Sequence, residues 1–242
     1  MIPIHDNVRS RHVPVVTLAI IVVNVIVFFF ELQLPRGSAP HFFSMWGVVP
    51  KRLFSGGLLD SGAAPPVAFS LFTSMFLHGG WFHLISNMWI LWLFGDNVED
   101  RFGHGTFIVF YLGCGIGAMA AHAFLNPQST VPSIGASGAI AGVMGAYFLL
   151  YPMARIIVMV PIFFYPFLFE VPAVVFLFVW ITIQVMSGMS DAARGSAQAG
   201  GVAFWAHVGG FAVGLAVAVL LKSKRPTGGR VSGNNDRRRY RK

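Results

Sequence analysis

Apolar runs alternate with short polar or glycine-rich stretches along most of the chain. The first run, VPVVTLAIIVVNVIVFFF from Val13 to Phe30, carries no charge before Glu31. Pro14 falls at its start, where a first helical turn tolerates a missing N–H. Further runs cover Trp81–Phe94, Thr106–Leu125, Ser137–Tyr151, Val171–Met186 and Val202–Leu221, and GDNVEDRFGHG, NPQSTVPSIGA and SGMSDAARGSAQAGG lie between them as loops. Crossing about 30 Å of hydrocarbon takes roughly 20 helical residues. The pattern therefore predicts an all-α polytopic membrane protein with six transmembrane helices, its first outer loop running from about residue 34 to 80 and partly embedded at the interface. Residues 156–169, IIVMVPIFFYPFLF, are apolar but short and broken by Pro161 and Pro166. They read as a loop or an extension of the fifth helix, with a seventh span as the alternative.

Charge orients the bundle. With six spans both ends share a side, which holds Arg9, Arg11, Arg101, Arg155 and the nine Lys and Arg from Lys222 to Lys242; the opposite side holds Arg36, Lys51, Arg52 and Arg194. Positive-inside bias puts both termini in the cytoplasm, and the expected setting is a bacterial inner membrane. The domain reading is a membrane domain over residues 1–221 and a basic, disordered cytoplasmic tail over 222–242. That tail suits topology anchoring and anionic lipid, not nucleic acid. Composition agrees: 55% of residues are hydrophobic, 11% are charged, and mean hydropathy is +0.68. This leaves no room for a large soluble domain. The first run has the length of a span and reads as a retained helix, not a cleaved leader. Cys114 is the single cysteine, so no intrachain disulfide forms.

Polar residues break the apolar runs at matched depth. Counted from the outer face, Ser137 opens the fourth span, and His207 lies about five residues into the sixth, roughly 8 Å down. His83 and Asn87, an i,i+4 pair, share one face of the second span near its outer end. Such groups are costly in hydrocarbon unless they cluster or face water, so three helices are expected to bring them together. His104 and His122 read as packing histidines. No acidic residue has a spacing that assigns it to His207.

A hydroxyl, two imidazoles and an amide suffice for acyl transfer. His207 would take the Ser137 proton and return it to a leaving amine. His83 and Asn87 would donate to the developing oxyanion, helped by the Ser137 N–H at a helix N-terminus. Gly135 would permit a close backbone approach, and Gly138 would clear space beside the nucleophile. Two small-residue pairs, Gly138 with Gly142 and Gly210 with Gly214, would let the fourth and sixth helices approach closely. Neither a metal nor an organic cofactor is expected.

GASG at Ser137, AHVGGFAVG at His207, HGGWFHLISN with His78, His83 and Asn87, and GDNVEDRFG together resemble the rhomboid family of intramembrane serine proteases over about residues 66–220. The first span and WGVVP are similar too. The resemblance implies a six-helix rhomboid-like bundle that cleaves membrane-anchored helices at small residues near the outer surface. Ser137 would be the nucleophile and His207 the base, with His83 and Asn87 serving the oxyanion and Glu99 and Arg101 in a structural cytoplasmic loop. The partners it implies are transmembrane protein substrates and the lipid bilayer. Two positions depart from well-known members: Trp46 is followed by Gly47 instead of Arg, and Ala141 stands four after the serine, where an aromatic stacks on the histidine. The alternative functions are a non-catalytic rhomboid-like protein that binds or escorts membrane helices, and a channel or transporter. Phe176, Phe178 and Trp180 on the fifth span read as bulk against the second, the gate for lateral substrate entry.

Overall fold

The computed structural model describes residues 2–55, 66–162, 165–193 and 202–222. The basic tail beyond Lys222 and the loop residues 194–201 lie outside the described residues. Six helices of 14 residues or more form the described bundle: α1 (Val15–Glu31), α5 (Trp81–Phe102), α6 (His104–Leu125), α7 (Ser137–Leu150), α8 (Ala173–Ala193) and α9 (Phe204–Lys222). The first outer loop is built from short helices, α2 (Ala39–Trp46), α3 (Pro50–Ser55) and α4 (Val67–Thr73), and a 3-10 turn at Ser74–Phe76. By length and composition α6, α8 and α9 can each cross a membrane, and α1 and α7 are shorter apolar helices.

The centre of the bundle is α7, in which every residue from Gly138 to Tyr147 is buried. Its sequence, SGAIAGVMGAYFLL, is apolar all round, as a helix with neighbours on all sides must be. Small residues set how close those neighbours come. A Cβ on Gly210 would lie 2.0 Å from the Gly138 carbonyl oxygen, and one on Gly214 would lie 1.9 Å from that of Gly142. The pairs Gly138/Gly142 and Gly210/Gly214 thus oppose each other, and α7 and α9 meet backbone to backbone.

The run GDNVEDRFGHG is helical, against the loop reading. Here α5 continues to Phe102, and Gly103, at φ +81°, is the whole connection to α6. The polar residues of this run find protein partners in the N-terminal segment. Pro14 and Val15 give α1 no side-chain cap, and Glu99 supplies one from α5: its carboxylate accepts from Val16 N–H at 2.8 Å and from Thr17 N–H and Oγ1 at 2.7 Å each. His104 Nδ1 completes the set at 2.5 Å from Glu99 Oε1. His12 Nδ1 lies 2.5 Å from Asp100, and Ser10 Oγ donates to Asp96 at 3.2 Å.

The described residues of the run 156–169, namely 156–162 and 165–169, form neither a loop nor a helical extension. They are most of a hairpin, β2 (Arg155–Ile162) against β3 (Tyr165–Pro172), in register from Arg155↔Pro172 to Ile162↔Tyr165. Strand β1 (Ile2–Asp6) joins antiparallel on the other side of β2, giving the order β1-β2-β3. Ile156 and Val158 are buried at period two, and the β-branched run suits a strand. Pro161 and Pro166 face each other near the hairpin tip, where the ladder has least to lose from a missing N–H. Asp6 anchors the sheet to the helices: its buried carboxyl accepts from the Tyr147 hydroxyl and from Asn97 Nδ2 at 3.0 Å. Burial raises the Asp6 pKa above its ordinary value.

Candidate active site

At the end of the bundle opposite the sheet, Ser137 is the first residue of α7 and His207 lies one turn into α9. The close α7–α9 approach brings His207 Nε2 to 2.9 Å from Ser137 Oγ. His207 Nδ1 lies 2.8 Å from Gln184 Oε1 on α8. An amide oxygen only accepts, so Nδ1 carries the proton and Nε2 presents its lone pair to the serine hydroxyl. The amide orientation is itself supported, since Gln184 Nε2 donates to the Trp180 carbonyl at 3.3 Å.

His83 and Asn87 sit side by side on α5 where the chain passes residue 135. A Cβ on Gly135 would lie 2.6 Å from His83 Nε2 and 3.8 Å from Asn87 Nδ2, and Gly135 has φ +120°. Both the missing side chain and the backbone conformation are therefore required there. Gly79 N–H donates to His83 Nδ1 at 3.4 Å, which leaves the imidazole proton on Nε2, the atom facing the serine loop. Asn87 Nδ2 is buried with no hydrogen-bond partner among the described residues. The His78 ring packs edge-on against His83 at 4.9 Å, and His78 N–H donates to the Glu31 carboxylate at 3.1 Å. A cavity of about 640 Å³ is lined by Ser137, His207, His83 and Asn87 together with Phe82 and Met119. All four candidate side chains thus open on one space.

The loop before Ser137 is clasped by the first outer loop. Val48 and Ser133 exchange backbone hydrogen bonds at 3.0 and 2.8 Å, and Lys51 N–H donates to the Ser129 carbonyl at 2.9 Å. Gly47 follows Trp46 for a steric reason: a Cβ there would lie 2.6 Å from the Phe43 carbonyl oxygen and 2.8 Å from Ile134. Gly138 does not clear space beside Ser137; its open side faces Ala118 of α6, 2.7 Å from where a Cβ would stand.

On α8 the three aromatics do not form one wall against α5. Phe176 stacks with Phe94 of α5 at 6.5 Å, but Phe178 is 62% exposed. Trp180 packs on His207 at 5.8 Å and on Phe211 at 6.2 Å. The aromatic missing at Ala141 is thereby replaced from another helix. Gln184 was not singled out from the sequence, although an amide four residues after a tryptophan in an apolar run was the available signal. His104 belongs to the Glu99 cluster, and His122 is buried on α6 with Asn126 Nδ2 3.5 Å from its Nδ1.

Fold and site define an integral membrane helical bundle with a half-buried serine–histidine pair at one end. The family model for the Rhomboid domain matches residues 66–224, well over half of the chain, and the chain belongs to the rhomboid family. It is 34% identical over 104 residues to Rhomboid-like protein 11, chloroplastic, of Arabidopsis thaliana, covering 43% of this chain and 34% of the relative. It is 46% identical over 77 residues to rhomboid protease GluP of Bacillus subtilis, covering 31% and 14%. To Rhomboid protein 1, mitochondrial, of Saccharomyces cerevisiae it is 29% identical over 150 residues, covering 60% and 40%. The chain matches less than half the length of each of these relatives.

Proposed function

We propose that this protein is an intramembrane serine protease that hydrolyses peptide bonds in or near the transmembrane helices of membrane-anchored substrates. The observation that carries the reading is the 2.9 Å approach of His207 Nε2 to Ser137 Oγ, with the second ring nitrogen held by an acceptor. A nucleophile bonded to a base that a third group orients is the arrangement acyl transfer requires. Ser137 Oγ attacks the scissile carbonyl carbon as its proton passes to His207 Nε2. The negative charge that develops on the carbonyl oxygen is met by His83 Nε2–H, by Asn87 Nδ2, which has no partner among the described residues, and by the backbone N–H of Ser137 at the first position of α7, where a helix leaves its N–H groups without intrahelical acceptors. The C–N bond breaks, the amine takes the proton from His207, and the acyl-serine remains. Water, deprotonated by His207, then attacks the ester and releases the carboxylate and Ser137.

The membrane setting fits this chemistry. A helix of 14 residues rises about 21 Å, short of the roughly 30 Å of hydrocarbon, which is compatible with α7 starting below the membrane surface and Ser137 with it. The polar side chains of Ser137, His83, Asn87 and His207 that open on the cavity can hold the water that hydrolysis consumes. A substrate helix must unwind locally to expose a carbonyl, and small residues ease that step. The positive-inside bias supports an orientation with both termini cytoplasmic and the cavity near the outer face, with residues 1–221 as the membrane domain and 222–242 as its basic tail.

The test is covalent labelling of the purified protein by a serine-directed fluorophosphonate. The reading expects labelling at Ser137 and its loss in Ser137→Ala and in His207→Ala, with both variants folded. An unlabelled native protein that still captures membrane helices would identify a non-catalytic helix-binding member instead.

A further inference from the structure

One face of α8 meets α9 through three positions a turn apart: Trp180, Gln184 and Gly188. Trp180 covers His207 and Phe211, Gln184 Oε1 holds His207 Nδ1, and Trp205 packs where Gly188 has no side chain, its Cε2 2.9 Å from where a Cβ would stand. Gln184 and Gly188 are buried, although much of α8 is exposed. A stripe otherwise built for packing therefore carries one amide, aimed at the ring nitrogen that faces away from the serine.

We propose that Gln184 is a positioning residue for His207: it fixes the imidazole as the Nδ1–H tautomer and so keeps Nε2 unprotonated toward Ser137. This rests on the serine protease reading. The chemistry follows from the two ring nitrogens. A neutral imidazole has one N–H, and without an acceptor at Nδ1 it can place that proton on Nε2, where it cannot take the serine proton. A ring free of both the Gln184 bond and the Trp180 face can also rotate away from Oγ. Gln184 is held in turn by its bond to the Trp180 carbonyl one turn back, so amide and indole act together. The clamp sits entirely on α8, which places the orientation of the base under the control of this helix.

The experiment uses the full-length protein with 15N-labelled histidines, His207 being assigned by difference from His207→Ala. Imidazole 15N shifts near pH 8 report the tautomer, and fluorophosphonate labelling across pH reports the base. Native protein should show His207 as Nδ1–H. Gln184→Leu, which keeps the volume, should mix the tautomers and slow labelling roughly 10- to 100-fold, with the melting temperature retained. Gln184→Glu keeps an acceptor, so it should keep the tautomer and the labelling, and its negative charge should move the acid limb of the profile to higher pH. An unchanged tautomer in Gln184→Leu overturns the proposal. So does a native pH profile in Gln184→Glu, or a loss of labelling that only tracks the loss of folded protein in both variants. If the native protein is not labelled at Ser137, the protease reading fails, and the tautomer comparison still decides the role of Gln184.

Discussion

Gly210→Ala tests whether the backbone contact between α7 and α9 sets the reactive geometry. The new Cβ would stand 2.0 Å from the Gly138 carbonyl oxygen and 3.0 Å from its carbon. Ordinary C···O contact is about 3.3 Å, so α9 must retreat by roughly 1.3 Å. The obstacle is backbone in the most buried helix, which no rotamer change can relieve. Gly210 is three residues from His207, on the same helix face, so the displacement passes to the imidazole almost undiminished. The 2.9 Å Ser137–His207 separation would open toward about 4 Å, beyond hydrogen-bonding reach. Misplacement of about 1 Å costs on the order of 100-fold in rate, and overpacking of a tight core about 1–3 kcal/mol. The assay is the rate of fluorophosphonate labelling per folded molecule, with a melting curve in the same detergent. Gly113→Ala is the control, since a Cβ there meets nothing within 4 Å in the middle of α6; it should label normally and melt no lower than the native protein. Native labelling in Gly210→Ala, or an equal loss in Gly113→Ala, would refute the link between the glycine contact and the site.

His83→Ala and Asn87→Ala should each slow cleavage of a transmembrane substrate by about 10- to 1,000-fold, because each removes one donor among several. Two fully active variants would remove the pair from the oxyanion role. Glu99→Gln should cost about 1–3 kcal/mol, read as a lower melting temperature, because the amide cannot accept from the α1 N–H groups, Thr17 and His104 together. Labelling of the folded fraction should stay native, since Glu99 lies at the far end of α5 from His83 and Asn87. An unchanged melting temperature would mean that α1 needs no cap from α5.

The long helices and the four residues of the candidate site were legible in the sequence for one reason. Hydrocarbon penalises unpaired polar groups so heavily that apolar runs must be helices and the polar residues within them must converge. The small-residue pairs could be read as a close approach because only glycine permits one. Elsewhere composition misled, because the partner that satisfies a polar group was distant in the chain. GDNVEDRFGHG has a loop's composition, yet it is helix, since Glu99 caps α1 across 83 residues and Asp100 pairs with His12. The described residues of IIVMVPIFFYPFLF, 156–162 and 165–169, are strand because β1, from the far N-terminus, and the hairpin pairing satisfy their backbone. The support of His207 was the least legible feature, for the same reason. A tryptophan and a glutamine in an apolar helix are compatible with lipid, packing or function, and it took the packing of α8 on α9 to turn both toward one imidazole. Local sequence determined where the long apolar helices run and which polar residues interrupt them; tertiary structure decided which distant groups pair, because hydrogen bonding and packing act across space and not along the chain.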